Sequence, residues 1–199
     1  MKRMDILFAT NNQHKRKEVQ SLLPEAIRLI TLEEAGVHVD VPEPFETLPE
    51  NALHKIRFVL KESGLTAGFS EDSGLFIESL QGRPGVHSAH YAGPQRNDAE
   101  NIERVLEEMK EDINRTAYFQ TTICLIWDHQ EHFFTGICHG NITRQLSGSK
   151  GFGYDPIFQP AGADRTFAEM DLIEKNRYSH RQKAVQQLID FLHHAKKTG

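Results

Sequence analysis

The chain has 199 residues, of which 38% are hydrophobic and 26% charged, enough apolar content for one packed domain or one two-lobed unit. Its net charge of −5 argues against the broad basic face that sequence-independent binding to DNA or RNA needs. No apolar run is long enough to span a bilayer and no signal-peptide pattern is present. The two cysteines, Cys124 and Cys138, lie in apolar runs without zinc-like spacing; together these features point to a reducing, cytoplasmic compartment.

Residues 4–9 form an apolar run of strand length. The polar stretch Thr10-Asn11-Asn12-Gln13-His14-Lys15 follows, then a helical pattern carried by Val19, Leu22 and Leu23 and ended by Pro24. A strand, a polar loop and a helix in this order aim loop amides at a helix N-terminus, where anions bind well, and Lys15 adds a mobile cation. The glycines of a P-loop or a dinucleotide-binding turn are missing, and an ordinary capped helix start explains the stretch equally well. Residues 27–32 predict a second strand. Residues 37–49 are irregular and acidic, with Asp40, Glu43 and Glu46. Ala52, Leu53, Ile56, Val59 and Leu60 then recur at helical spacing up to Gly64, with Lys55 at the edge of the apolar stripe.

Ser70-Glu71-Asp72-Ser73-Gly74 reads as a polar loop between two short strands. Adjacent carboxylates are costly to bury without a partner, and a divalent cation would serve as one; an exposed acidic turn explains the same residues. His87 and His90 could share a helical turn, but nothing nearby completes a zinc site. Asn97-Asp98-Ala99-Glu100 predicts a capped, amphipathic surface helix. Residues 116–126 alternate cleanly, Asp128-His129-Gln130-Glu131 is a turn, and residues 133–142 return, making a long hairpin in the middle of the sheet.

In Gly151-Phe152-Gly153-Tyr154-Asp155-Pro156, glycines allow the backbone a close approach, two aromatic rings offer flat faces, and Asp155 offers an acceptor. Those residue types suit a planar ligand that is stacked and read at its edge. Lys175 precedes a last helix, for which Ser179 is a good N-cap and Gln182 sits at the capping-box position. His180 and Arg181 fall in its first turn. Cationic side chains fit poorly at the positive end of a helix, so a ligand bearing negative charge or a carbonyl is the expected compensation.

Taken together and in order, the Thr10–Lys15 stretch, Glu71-Asp72-Ser73-Gly74, Gly151 to Pro156 and Ser179-His180-Arg181 resemble the Ham1-like (inosine triphosphate pyrophosphatase) family. Glu50-Asn51-Ala52 with Lys55, and Arg83-Pro84-Gly85 through Tyr91-Ala92-Gly93, match as well. The resemblance covers nearly the whole chain. It implies an α/β fold in which a long twisted mixed β-sheet is flanked by helices, with residues 1–199 forming one two-lobed domain around a central nucleotide-binding cleft. It also implies Mg²⁺-dependent hydrolysis of ITP, dITP and XTP to a monophosphate and pyrophosphate, by a homodimer.

Residue by residue, the resemblance implies that Thr10, Asn11, Asn12 and Lys15 bind the phosphate chain, assisted by Lys55 and Ser73. It gives Glu43 and Asp72 to the Mg²⁺, and Asp72 also to the attacking water. Phe152 would stack on the base, within the loop that includes Gly153 and Tyr154. Asp155, Lys175, His180 and Arg181 would line the base pocket. Asn11, Glu71 and His90 depart from the residues most common in the family at their positions. Two competing readings are a Maf-type pyrophosphatase acting on other modified nucleotides and a non-catalytic nucleotide-binding module.

Overall fold

The computed structural model describes residues 3–198. Its strands are β1 (Met4–Phe8), β2 (Ile27–Ile30), β3 (Gly68–Ile77), β4 (Pro84–Gly85), β5 (Thr116–Trp127), β6 (Gln130–Ile142) and β7 (Phe158–Pro160). Its helices are α1 (Gln13–Leu22), α2 (Leu48–Ser63), α3 (Asp98–Glu108), the single-turn α4 (Leu172–Lys175) and α5 (His180–Thr198). The strands make one mixed sheet in the order β2-β1-β3-β5-β6-β7, with β4 paired to β3. β1 runs parallel to both β2 and β3, whereas β3–β4 and β6–β7 are antiparallel. None of the described helices is long and apolar enough to cross a membrane.

The chain forms two compact units. The first comprises residues up to Asp72, Thr121–Gly136 and the residues from Arg181 onward; the second comprises Ser73–Gln120 and Ile137–His180. In the first unit the period-2 alternation of strand side chains sorts the core into two layers. Ile6 and Phe8 of β1, Phe69 of β3 and Ile123 and Leu125 of β5 pack with Val19 of α1 and Ala184, Val185 and Leu188 of α5. Leu7 and Ala9, with Cys124, face the other way and pack with Ala52, Ile56 and Val59 of α2. From Ile6 to Ala9 the chain is buried on both faces, which is why residues 4–9 read as a continuous apolar run. Gly64 ends α2 in the left-handed conformation (φ +71°), and its N–H donates to Leu60 O.

The core of the second unit joins Leu75 and Ile77 of β3 to Ile102 and Val105 of α3 and to its C-cap Met109, with the ring of Phe158 packed edge-on against Phe119 and tilted against Phe167. The β5–β6 hairpin closes on Asp128 and His129, both with positive φ, as a two-residue turn matched to strand twist requires.

The structure corrects the reading of residues 70–74. They are the middle of β3, a continuous ten-residue strand, and they are almost wholly buried. The two carboxylates survive burial because each meets cationic and hydrogen-bonding partners that lie far away in sequence.

Candidate functional site

Strand alternation sends Glu71 and Asp72 to opposite faces of β3. Asp72 and Ser70 face α2: Asp72 Oδ2 accepts from Asn51 Nδ2 (3.1 Å), and Ser70 Oγ donates to Ala52 O. The same Asn51 side chain accepts from Phe45 N–H (2.9 Å) and donates to Phe45 O (3.0 Å). It thus pins the irregular acidic segment to the strand that carries Asp72. In that segment Glu43 pairs with Lys55, which also donates to Glu71 O (3.1 Å). Lys55, at the stripe edge, is therefore tucked in against two acidic elements rather than solvated.

Burial raises the Asp72 carboxyl above its usual range, Lys15 and Lys55 pull it back down, and Glu43 pushes it up again. Burial outweighs the two lysines, so the carboxylate is a stronger proton acceptor than one in water. Among the described residues no group of three or more His, Cys, Asp and Glu is arranged to hold a metal. The donor set suits a hard cation of another kind. Mg²⁺ is commonly bound by one or two carboxylates plus substrate phosphate oxygens, and Glu43 and Asp72, which act on each other electrostatically, are such a pair.

Glu71 points the other way, toward α1 and α5. Arg181 Nε and Nη2 lie 2.9 Å from its carboxylate, Arg181 Nη1 pairs with Glu18, and Lys15 Nζ lies 3.5 Å from Glu71 Oε1. Glu71 and Arg181 are 1% and 2% exposed, so this is an interior ion cluster. Burial alone would raise the Glu71 carboxyl; the Arg181 and Lys15 charges outweigh it and hold it below the usual carboxylate range. The charge that offsets Arg181 at the start of α5 is therefore carried by Glu71 and Glu18. This corrects the expectation that a ligand supplies it.

At the start of α1, Thr10 Oγ1 accepts from Asn12 N–H (3.1 Å) and Asn12 Oδ1 accepts from Lys15 N–H (3.0 Å), so Asn12 is the N-cap. Asn11 is exposed beside them. Thr10, Asn11, Asn12, Lys15, Glu43, Lys55, Asp72 and Arg181 all belong to the first unit.

Ser73, Phe152, Gly153, Tyr154, Asp155, Lys175 and His180 belong to the second. Asp155 and Lys175 form a buried pair, Oδ2 to Nζ at 2.6 Å, and Asp155 Oδ2 also accepts from Phe152 N–H (3.0 Å). Lys175 Nζ lies 5.2 Å from the centre of the Phe152 ring, a cation–π contact. His180 stacks on Phe119 with ring centres 4.8 Å apart and planes at 14°, which fixes the imidazole plane. Tyr154 is a correction: its ring is core, 4% exposed, and its hydroxyl donates to Ser88 O (2.8 Å), so it braces the loop from beneath rather than offering a face to a ligand.

The loop glycines make their close approaches to the protein itself. A Cβ on Gly151 would stand 2.0 Å from Asp155 Oδ2, and one on Gly148 would stand 2.3 Å from the Ala168 carbonyl carbon. Gly148 also has φ +80°. Gly148→Ala should cost about 2–5 kcal/mol, from left-handed strain plus a clash with backbone that cannot rotate away. Urea denaturation monitored by circular dichroism measures it, and wild-type stability would contradict the packing described.

Sequence reasoning missed Glu18 and Asp98, and gave Asn51 no role. Glu18 sits three residues after Lys15, so helical spacing puts the two on one face of α1; that spacing is the available signal, and the burial of Glu18 is seen only in the structure.

In the first unit Lys15, Lys55 and Glu43 act on Asp72, and in the second unit the Phe152 loop is braced by the buried Asp155–Lys175 pair. The sequence profile of the Ham1 family matches residues 6–191, and the chain belongs to that family. It is 48% identical to the dITP/XTP pyrophosphatase of Flavobacterium psychrophilum over 188 residues, 94% of this chain and 98% of that protein. The dITP/XTP pyrophosphatase of Porphyromonas gingivalis is 46% identical, over 94% of this chain and 96% of its own. Among solved structures, a HAM1 protein from Coxiella burnetii superposes with a TM-score of 0.87 at 39% identity, covering 96% of this chain and 99% of its own. The Ham1 protein of Staphylococcus aureus gives 0.85 at 34%, with the same coverage.

Proposed function

We propose that this protein hydrolyses deaminated purine nucleoside triphosphates, ITP, dITP and XTP, to the monophosphate and pyrophosphate, so that they are not built into DNA or RNA. Residues 1–199 act as one two-lobed domain, with the first unit handling the phosphate chain and the second the base. The two sets of residues are covalent neighbours at two points, Asp72–Ser73 and His180–Arg181. The observation that carries the reading is Asp72: a buried carboxylate of raised basicity, oriented by Asn51 and acted on by Lys15, Lys55 and Glu43.

Glu43 and Asp72 would hold Mg²⁺, which supplies positive charge to the phosphate oxygens when bound. Lys15 and Lys55 offset the rest of the triphosphate's charge, about four negative charges near neutral pH, and Thr10, Asn11, Asn12 and Ser73 supply hydrogen bonds. Asp72 orients a water and takes its proton as the water oxygen adds to phosphorus at the α–β anhydride; the bridging oxygen departs with the other fragment. Phe152 stacks on the base, on a loop shaped by Gly153 and Tyr154. Lys175, oriented by Asp155, and His180 set the polar edge that donates to a C6 carbonyl and leaves the amino group of adenine unpaired, while Arg181 stays committed to Glu71 and Glu18. The enzyme works as a cytoplasmic homodimer.

The test is a panel of ITP, XTP, GTP, ATP and dTTP at equal Mg²⁺, assayed separately for orthophosphate and pyrophosphate. The expected result is pyrophosphate from ITP and XTP, with turnover of ATP and dTTP lower by about 10²-fold or more. Orthophosphate alone would reject cleavage at the α–β bond, and equal rates across the panel would reject selection of the base.

A further inference from the structure

The orientation of Phe152 is set by the two peptide planes that flank its Cα, because those planes define its φ and ψ. One plane carries Phe152 N–H and the other Gly153 N–H. Each donates to a different carboxylate: Phe152 N–H to Asp155 Oδ2 at 3.0 Å, and Gly153 N–H to Asp98 Oδ2 at 2.7 Å. We infer that Asp98 is a positioning residue for the base-stacking ring, the second of two carboxylates that fix the Phe152 backbone; this rests on the function proposed above.

Several features make Asp98 fit for that task. It is the first residue of α3, where a carboxylate is favoured by the helix dipole. The capping of α3 is done by its neighbour Asn97, whose Oδ1 accepts from Ala99 N–H and Glu100 N–H, which leaves Asp98 available to the loop. Gly153 is left-handed at φ +58°, a conformation glycine adopts without strain, and its N–H leaves the loop to reach α3. One turn further along α3, buried Asn101 accepts from Ala92 N–H (2.7 Å) and donates to Ala89 O (3.1 Å). The start of α3 therefore holds two segments of the second unit at once. The bond from Gly153 spans 55 residues, which is why nothing local in the sequence announces it.

A charge-assisted bond of this kind is among the stronger hydrogen bonds, and losing it frees one of the two planes. Asp98→Ala should raise KM for ITP about tenfold and leave kcat within about twofold, since the phosphate-binding residues are untouched. Exchange of the Gly153 amide, followed by NMR, should quicken about tenfold or more. Asp98→Asn keeps an acceptor oxygen and should restore both. As a control for mere helix damage, Asn97→Ala should lower the melting temperature by about 3 °C and leave KM unchanged. An unchanged KM in Asp98→Ala, or an Asp98→Asn protein as impaired as the alanine variant, would overturn the inference. A wild-type protein that turns over neither ITP nor XTP would reject the proposed function instead, and Gly153 exchange in the two variants would still decide whether the clamp exists.

Discussion

Asp72→Asn should lower kcat by about 10²–10⁴-fold while leaving the protein as stable as wild type or slightly more so. The substitution is nearly isosteric, and a flipped amide still presents an oxygen to Asn51, so the link from β3 to the acidic segment survives. What disappears is the proton acceptor proposed for the attacking water. Burial already works against the charged form of Asp72, and a neutral side chain removes that cost while forfeiting attraction to Lys15 and Lys55. The two effects oppose each other, so the melting temperature should move little. Stopped assays of pyrophosphate release give kcat, and equilibrium dialysis with ITP gives affinity. Glu43→Gln is the informative companion. A residue that only helps to hold Mg²⁺ should be rescued in part by raised Mg²⁺, whereas loss of the proton acceptor should not. Equal rescue of both variants would reduce Asp72 to a metal ligand, and wild-type turnover in Asp72→Asn would remove it from the chemistry.

The separation of Glu71 from Asp72 shows what sequence can and cannot convey here. The elements with local signatures were legible: the apolar run at β1, the helical stripe at Ala52, Ile56 and Val59, the alternation along β5, and the cap at Asn97. Their signals lie within one or two turns of the chain. The acidic run at residues 70–74 carried a misleading local signal, because Ser, Glu, Asp and Gly are poor strand formers on composition alone. Its true environment is set by Arg181, 110 residues away, and by Lys15, Glu18, Asn51 and Lys55. Tyr154 was misread for the same reason: a ring in a glycine loop looks available until the Ser88 carbonyl and the core of the second unit claim it. The chemistry-bearing residue types were visible, but their division of labour is a tertiary fact.

Arg181→Met should destabilise the protein by about 3–5 kcal/mol, because it leaves Glu71 and Glu18 buried together with their main counter-charge gone. At this chain length that is roughly a 10 °C fall in melting temperature. The cost belongs to the orphaned carboxylates more than to the lost bonds, and this separates the explanation from a simple packing defect. Adding Glu71→Gln and Glu18→Gln should recover most of the stability, since replacing a whole buried ion cluster with neutral groups is often close to neutral, whereas breaking it is not. A packing defect would instead make the triple variant worse than the single one. Glu71→Gln alone leaves Arg181 with Glu18 and removes the partner of Lys15, so it should cost less stability than Arg181→Met and should weaken nucleotide binding through Lys15. Calorimetry on these proteins, with the Glu71→Gln/Glu18→Gln double variant to close the cycle, yields the coupling energy between Arg181 and the two carboxylates. If Arg181→Met melts at the wild-type temperature while its KM for ITP rises steeply, the arginine serves the ligand and not the fold, and the charge at the start of α5 must be balanced by substrate after all.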